Sequence, residues 1–172
     1  MTTYLGILIA AFLITHFATP LIQGLAHRVG AMDVPSERKI HSRITPRLGG
    51  LAVFMGFWGS FVLGLLVNDK FKAAFVEPVW GLVFGSLLLV AIGIYDDIKG
   101  ATAWVKFPFQ LAAALIAFHY GVRFVLLSDI FHLFTTGVTA IKLTYWTSLV
   151  LTVLWIVGIT NAMNFIDGLD AL

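Results

Sequence analysis

From Tyr4 to Leu25 the chain carries no Asp, Glu, Lys or Arg, and as a helix that stretch would be about 33 Å long, enough to cross the hydrocarbon of a bilayer. Four further apolar stretches follow: Gly49 to Val67, Val79 to Tyr95, Phe107 to Leu127 and Leu143 to Thr160. The one beginning at Phe107 is interrupted by Pro108, Gln110, His119 and Arg123, which suits a short, tilted or partly interfacial helix covered by a neighbour. Composition agrees with the pattern. Residues are 59% hydrophobic and 12% charged, against about 25% charged in a soluble domain, so much of the apolar surface must face lipid. The expectation is an all-α polytopic membrane protein with about five transmembrane helices, forming a single integral-membrane domain over residues 1–172. Met1 to Thr3 carry no basic residue and no small-residue cleavage site follows the first stretch, so that helix reads as a retained span and not as a signal peptide.

Charge is too evenly balanced for a nucleic-acid protein, with 11 Lys plus Arg against 9 Asp plus Glu. Its placement is more informative. With five crossings, the segments His27 to Leu48, Asp96 to Lys106 and Asn161 to Leu172 share one face and hold Arg28, Arg38, Lys39, Arg43, Arg47, Lys99 and Lys106; the other face holds Lys70, Lys72, Arg123 and Lys142. The positive-inside rule then puts the first loop and the C-terminus in the cytoplasm and the N-terminus outside. The chain has no Cys, so a metal would be held by oxygen or imidazole.

That orientation brings Asp96, Asp97, Asp167 and Asp170 to the cytoplasmic face, each at the end of an apolar helix. In GIYDDIKG the acidic pair abuts hydrocarbon, where an unpaired carboxylate costs several kcal/mol, and it sits near a helix C-terminus, where the dipole disfavours anions. Asp96 and Asp97 either mark a merely wet helix end or form part of a site that compensates them. In NAMNFIDGLDAL, Asn161, Asn164 and Asp167 recur every three residues and share a helix face, a polar wall that Gly168 could turn toward Asp170. The alternative for the carboxamides is hydrogen bonding between membrane helices.

The first loop, DVPSERKIHSRITPRLGG, gathers Arg38, Lys39, Arg43 and Arg47 with His41, Ser42, Thr45 and the Gly49-Gly50 backbone. Such donors can surround a diphosphate, although a short basic loop is also what the positive-inside rule produces. Carboxylates suited to a hard divalent cation, next to phosphate donors at a membrane surface, suit phosphoryl transfer to or from a lipid. The sequence has no HExxH and no Walker-type glycine loop. A cation transporter fragment or another non-enzymatic membrane protein is the competing class, and it would want its acidic groups nearer the bilayer midplane.

The loop, the DDIKG turn and the NAMNFIDGLDAL segment together resemble the first three signatures of the polyprenyl-phosphate N-acetylhexosamine-1-phosphate transferases, which include the undecaprenyl-phosphate GlcNAc-1-phosphate transferases and the phospho-MurNAc-pentapeptide transferase. Lys-Ile-His and Thr-Pro-Arg-Leu-Gly-Gly are more similar to the GlcNAc-1-phosphate branch. The resemblance implies transfer of a sugar-1-phosphate, most simply GlcNAc-1-phosphate, from a UDP-N-acetylhexosamine to undecaprenyl phosphate with release of UMP. It further implies Mg2+, or Mn2+ in its place, in a bacterial cytoplasmic (inner) membrane with the active site facing the cytoplasm, and homodimerisation as a family property. By the same analogy Asp96 or Asp97 deprotonates or orients the lipid phosphate, and Asp167 joins them as a catalytic carboxylate. Asp97 and Asp167 would hold the metal, Asn161 and Asn164 would line the diphosphate site, and Asp170 would contact the nucleotide. Lys39, His41, Arg43, Thr45 and Arg47 are the implied phosphate partners. The family's later metal-binding Asp, its His-containing motif and its later helices have no counterpart here, and Ala171 stands where the family places Gly. The expectation is the N-terminal half of a larger transferase, with an inactive truncated transferase as the alternative.

Overall fold

The structure, a computed structural model, describes residues 2–33, 44–74, 78–126 and 142–168. Its elements are α1 (Thr2–Val29), β1 (Met32–Asp33), β2 (Thr45–Pro46), α2 (Gly49–Val67), α3 (Asp69–Ala74), α4 (Pro78–Lys99), α5 (Ala103–His119) and α6 (Tyr145–Gly168). The α1, α2, α4 and α6 helices are long and apolar enough to cross a membrane, and α5 is a shorter apolar helix. The protein is an all-α, multi-pass membrane protein.

Helix ends follow local chemistry. Gly30 takes a φ of 72° after α1, and Ala31 N–H returns to the Ala26 carbonyl at 2.9 Å, closing a Schellman turn whose two alanines are both buried. Asn68 caps α3 through its carboxamide oxygen on the Phe71 N–H, while its Nδ2 donates to Thr3 Oγ1 at the start of α1. Pro78 opens α4, where a missing N–H costs nothing. Thr144 Oγ1 accepts from the Thr147 N–H and caps α6.

One expectation is corrected. The apolar stretch from Phe107 to Leu127 is not one helix: α5 starts earlier, at Ala103, and ends at His119. Gly121 adopts a φ of 91°, and the Gly121 and Val122 N–H groups return to the carbonyls of Phe118 and Ala117, a second Schellman turn. The extended backbone that follows is then satisfied by α6. Ser148 donates to the Phe124 carbonyl, and Thr152 Oγ1 accepts the Phe124 N–H. Both hydroxyl residues are buried, which is how non-helical backbone is tolerated within an apolar body.

The chain divides into two compact units, Met1–Val76 with Val90–Thr102, and Glu77–Leu89 with Ala103–Leu172. In the first, α1 and α2 pack through small residues. Ala52, Gly56, Ser60 and Gly64 recur every fourth position of α2 and are all buried. A methyl group added at Gly56 would overlap Thr15 Oγ1 and lie 2.9 Å from the Ala11 carbonyl; this is close backbone approach in place of a solvent-driven hydrophobic core. Ala18, Ile22, Ala26, Ala31, Leu48 and Ala52 form a buried apolar cluster, with Ile94 of α4 packed against it. In the second unit Gly81 and Gly85 of α4 meet Ala113 and Ala117 of α5 in the same manner.

Candidate functional site

In the first unit the basic loop is closed at its base. The two-residue strands β1 and β2 pair Met32 with Pro46 and Asp33 with Thr45. Arg47 N–H donates to the Ala31 carbonyl at 2.9 Å, and Arg47 Nη2 reaches Asp33 Oδ1 at 2.6 Å. Leu48, which follows, has a φ of 71°, in the left-handed region where a non-glycine residue is strained. Its side chain is only 3% exposed, seated in the α1–α2 cluster, and that burial sustains the strained backbone.

The Leu48 N–H donates to Asp97 Oδ2 at 3.1 Å. Asp97 lies in the last turn of α4, the unfavourable end of a helix dipole for an anion, but its carboxylate meets the N-terminal end of α2, the favourable end. That contact offsets part of the cost of the Asp97 charge at this helix end. Asp96 is used differently. Its carbonyl accepts the Gly100 N–H at 2.8 Å and its Oδ1 accepts the Ala101 N–H at 2.7 Å, so the DDIKG turn is shaped by Asp96 itself, with Gly100 at a φ of 72°.

In the second unit Asn161 forms a reciprocal carboxamide pair with Gln110 of α5. Asn161 Nδ2 donates to Gln110 Oε1 at 2.8 Å and Gln110 Nε2 to Asn161 Oδ1 at 3.4 Å, and Gln110 is only 5% exposed. Asn161 Nδ2 also donates to the Val157 carbonyl. Asn164, one step along α6, is exposed. Asp167 belongs to the last turn of α6, with its side chain outside the description. Lys39, His41, Arg43 and Asp170 lie outside the described residues.

Thus Thr45, Arg47 and Asp97 are gathered around one loop base, while Asn161 is engaged with α5. Sequence reasoning did not single out Asp33, Leu48 or Gln110 as functional partners. Gln110 was visible as a polar residue inside an apolar helix; Leu48 gave no signal, because what it contributes is its main chain. The donor set suits a hard, oxygen-preferring cation in kind, being carboxylate without thiolate. Among the described residues no three His, Asp or Glu side chains are grouped as a metal centre.

The family model described as Glycosyl transferase family 4 matches residues 79–172, from the start of α4 through α6. The chain belongs to glycosyl transferase family 4. Over 95% of its length it is 37% identical to a Bacillus subtilis protein named "Probable undecaprenyl-phosphate N-acetylglucosaminyl 1-phosphate transferase", covering 42% of that relative. It is 36% identical, again over 95% of its length, to the decaprenyl-phosphate N-acetylglucosaminephosphotransferase of Mycobacterium tuberculosis, covering 40% of it. A phospho-N-acetylmuramoyl-pentapeptide-transferase of Staphylococcus haemolyticus is 29% identical, with 53% covered. The chain therefore spans about half or less of the length of these family members. No solved structure matches it.

Proposed function

We propose that the protein carrying this sequence transfers an N-acetylhexosamine-1-phosphate, GlcNAc-1-phosphate first among them, from its UDP derivative to undecaprenyl phosphate at the cytoplasmic face of a bacterial inner membrane. In that step an oxygen of the lipid phosphate bonds to the phosphorus that bears the sugar. The bond from that phosphorus to the bridging oxygen breaks, and UMP leaves with that oxygen. The product is a lipid-diphosphate sugar, the starting point of a cell-wall or surface polysaccharide.

The single observation that carries this reading is the Leu48–Asp97 hydrogen bond. It joins the loop richest in phosphate donors to the acidic end of an apolar helix, in a chain of glycosyl transferase family 4. Asp97, with Asp96 beside it, would take the proton from the lipid phosphate or orient it. Lys39, His41 and Arg43 would balance the diphosphate charge and the Thr45 hydroxyl would donate to it, with Asn164 lining that site and Asp170 meeting the nucleotide. Asp97 and Asp167 would hold Mg2+, or Mn2+ in its place, whose chemistry is to neutralise charge that builds on the phosphoryl oxygens. The identities of the relatives favour GlcNAc over MurNAc-pentapeptide as the sugar carried.

The test is UMP release by the protein expressed from its own gene and reconstituted with undecaprenyl phosphate and UDP-GlcNAc. One lipid-linked sugar formed per UMP is expected. Absence of UMP release with UDP-GlcNAc and with every other UDP-N-acetylhexosamine overturns the reading.

A further inference from the structure

We propose that Arg47 and Asp33 are positioning residues, a clasp that holds the Leu48 N–H on the Asp97 carboxylate, so that Arg47 acts through Leu48 and not on the substrate. Arg47 is held at two points. Its N–H is bound to the Ala31 carbonyl at 2.9 Å, and its guanidinium to Asp33 Oδ1 at 2.6 Å. Held at these two points, residue 47 restricts how the following peptide, which carries the Leu48 N–H, can turn. Leu48 secures that plane from the other side, by a left-handed φ of 71°, a buried side chain and a carbonyl that accepts the Leu51 N–H in the first turn of α2.

The guanidinium is the part of Arg47 that would have to meet a phosphate, and it is already in a short charge-assisted bond with a carboxylate that is 18% exposed. Asp33 is in turn paired with Thr45 across the strand ribbon. Asp33, one of the two acidic residues of the loop, thus serves to fix the loop's base, and the guanidinium of Arg47, the last basic residue of the loop, is engaged there. The inference rests on the transferase reading only for what Asp97 does once it is held.

The experiment is a double-mutant cycle of Asp33→Ala and Arg47→Ala in the membrane-embedded protein expressed from its own gene. Transferase kinetics and hydrogen exchange of the peptide that contains the Leu48 amide are followed together. Each single variant is expected to lose about tenfold in kcat with KM for UDP-GlcNAc changed less than about twofold, and the double variant to lose no more than the worse single. Exchange at Leu48 is expected to accelerate about tenfold in all three. Arg47→Lys, which keeps a cation on Asp33, restores slow exchange, whereas Arg47→Gln does not; this second pair decides the matter if Asp33→Ala fails to accumulate. A loss in Arg47→Ala that exceeds that of Asp33→Ala by tenfold, or that falls on KM, overturns the clasp and returns Arg47 to the substrate. Leu48 exchange that is unchanged in both single variants also overturns it. A wild-type protein without UMP release would defeat the transferase reading alone, since the exchange measurements judge the clasp without it.

Discussion

The main-chain N–H of Leu48 and the carboxylate of Asp97, 49 residues apart in sequence, are joined at 3.1 Å. An anion at the C-terminal end of α4 is thereby placed at the N-terminal end of α2, and the strained residue that donates the bond is held by its own buried side chain. Replacement of Asp97 separates charge from geometry. Asp97→Asn keeps an oxygen that can accept the Leu48 N–H but removes the base. Activity is expected to fall about a hundredfold or more, while thermal unfolding in detergent shifts by no more than about 1 kcal/mol. Retained UMP release would remove Asp97 from the chemistry.

Leu48 itself inverts a usual order. At a buried site Leu→Ala costs about 2–5 kcal/mol, and Leu→Gly normally costs more. Here Gly relieves the left-handed backbone, which is unfavourable by about 1–2 kcal/mol for other residues. Leu48→Gly is therefore expected to be at least as stable as Leu48→Ala in thermal unfolding, and a clearly less stable Gly variant would show that the backbone is unstrained.

The carboxamide pair of Asn161 and Gln110 makes a separate prediction. Asn161→Ala leaves the buried Gln110 side chain without this partner, at a cost of about 0.5–2 kcal/mol. The double replacement Asn161→Ala with Gln110→Leu removes both polar groups and is expected to recover most of that loss. Equal loss in the single and double variants, measured by unfolding in the same detergent, would mean that the pair does not join α5 to α6.

Two glycines in helices should respond oppositely to a methyl group. Gly56→Ala drives a methyl into Thr15 and the Ala11 carbonyl and is expected to destabilise by about 1–3 kcal/mol as α1 and α2 are forced apart. Among the described residues, nothing beyond the backbone of its own helix lies within 4 Å of a methyl group added at Gly158 of α6, so Gly158→Ala should be neutral or stabilising by up to about 1 kcal/mol. Comparable unfolding temperatures for the two variants would contradict the close α1–α2 approach.

Much of the fold was legible because it rests on local rules. Four of the five apolar stretches read from the sequence correspond to α1, α2, α4 and α6, within a few residues except at the C-terminal end of α6, which runs eight residues past Thr160, since length and freedom from charge decide what crosses a bilayer. The stretch beginning at Phe107 was misread at its C-terminal end. The glycine turn at Gly121 stops α5, and the Ser148 and Thr152 hydroxyls that make the stop acceptable belong to a different helix. Hydropathy along one segment carries no information about such a partner.

The sequence by itself determined the membrane class, the helical architecture, the family and the residue types from which a phosphate-handling site can be made. Those properties follow from composition, spacing and short motifs, all of them readable within a window of a few turns. Only the tertiary structure decided which of those residues spend their polar groups on one another. Arg47 is turned to Asp33, Asp97 to the main chain of Leu48, and Asn161 to Gln110. Each of these bonds depends on which faces of remote segments pack together. That choice was made by small residues allowing close backbone approach and by the need of every buried polar group for a partner.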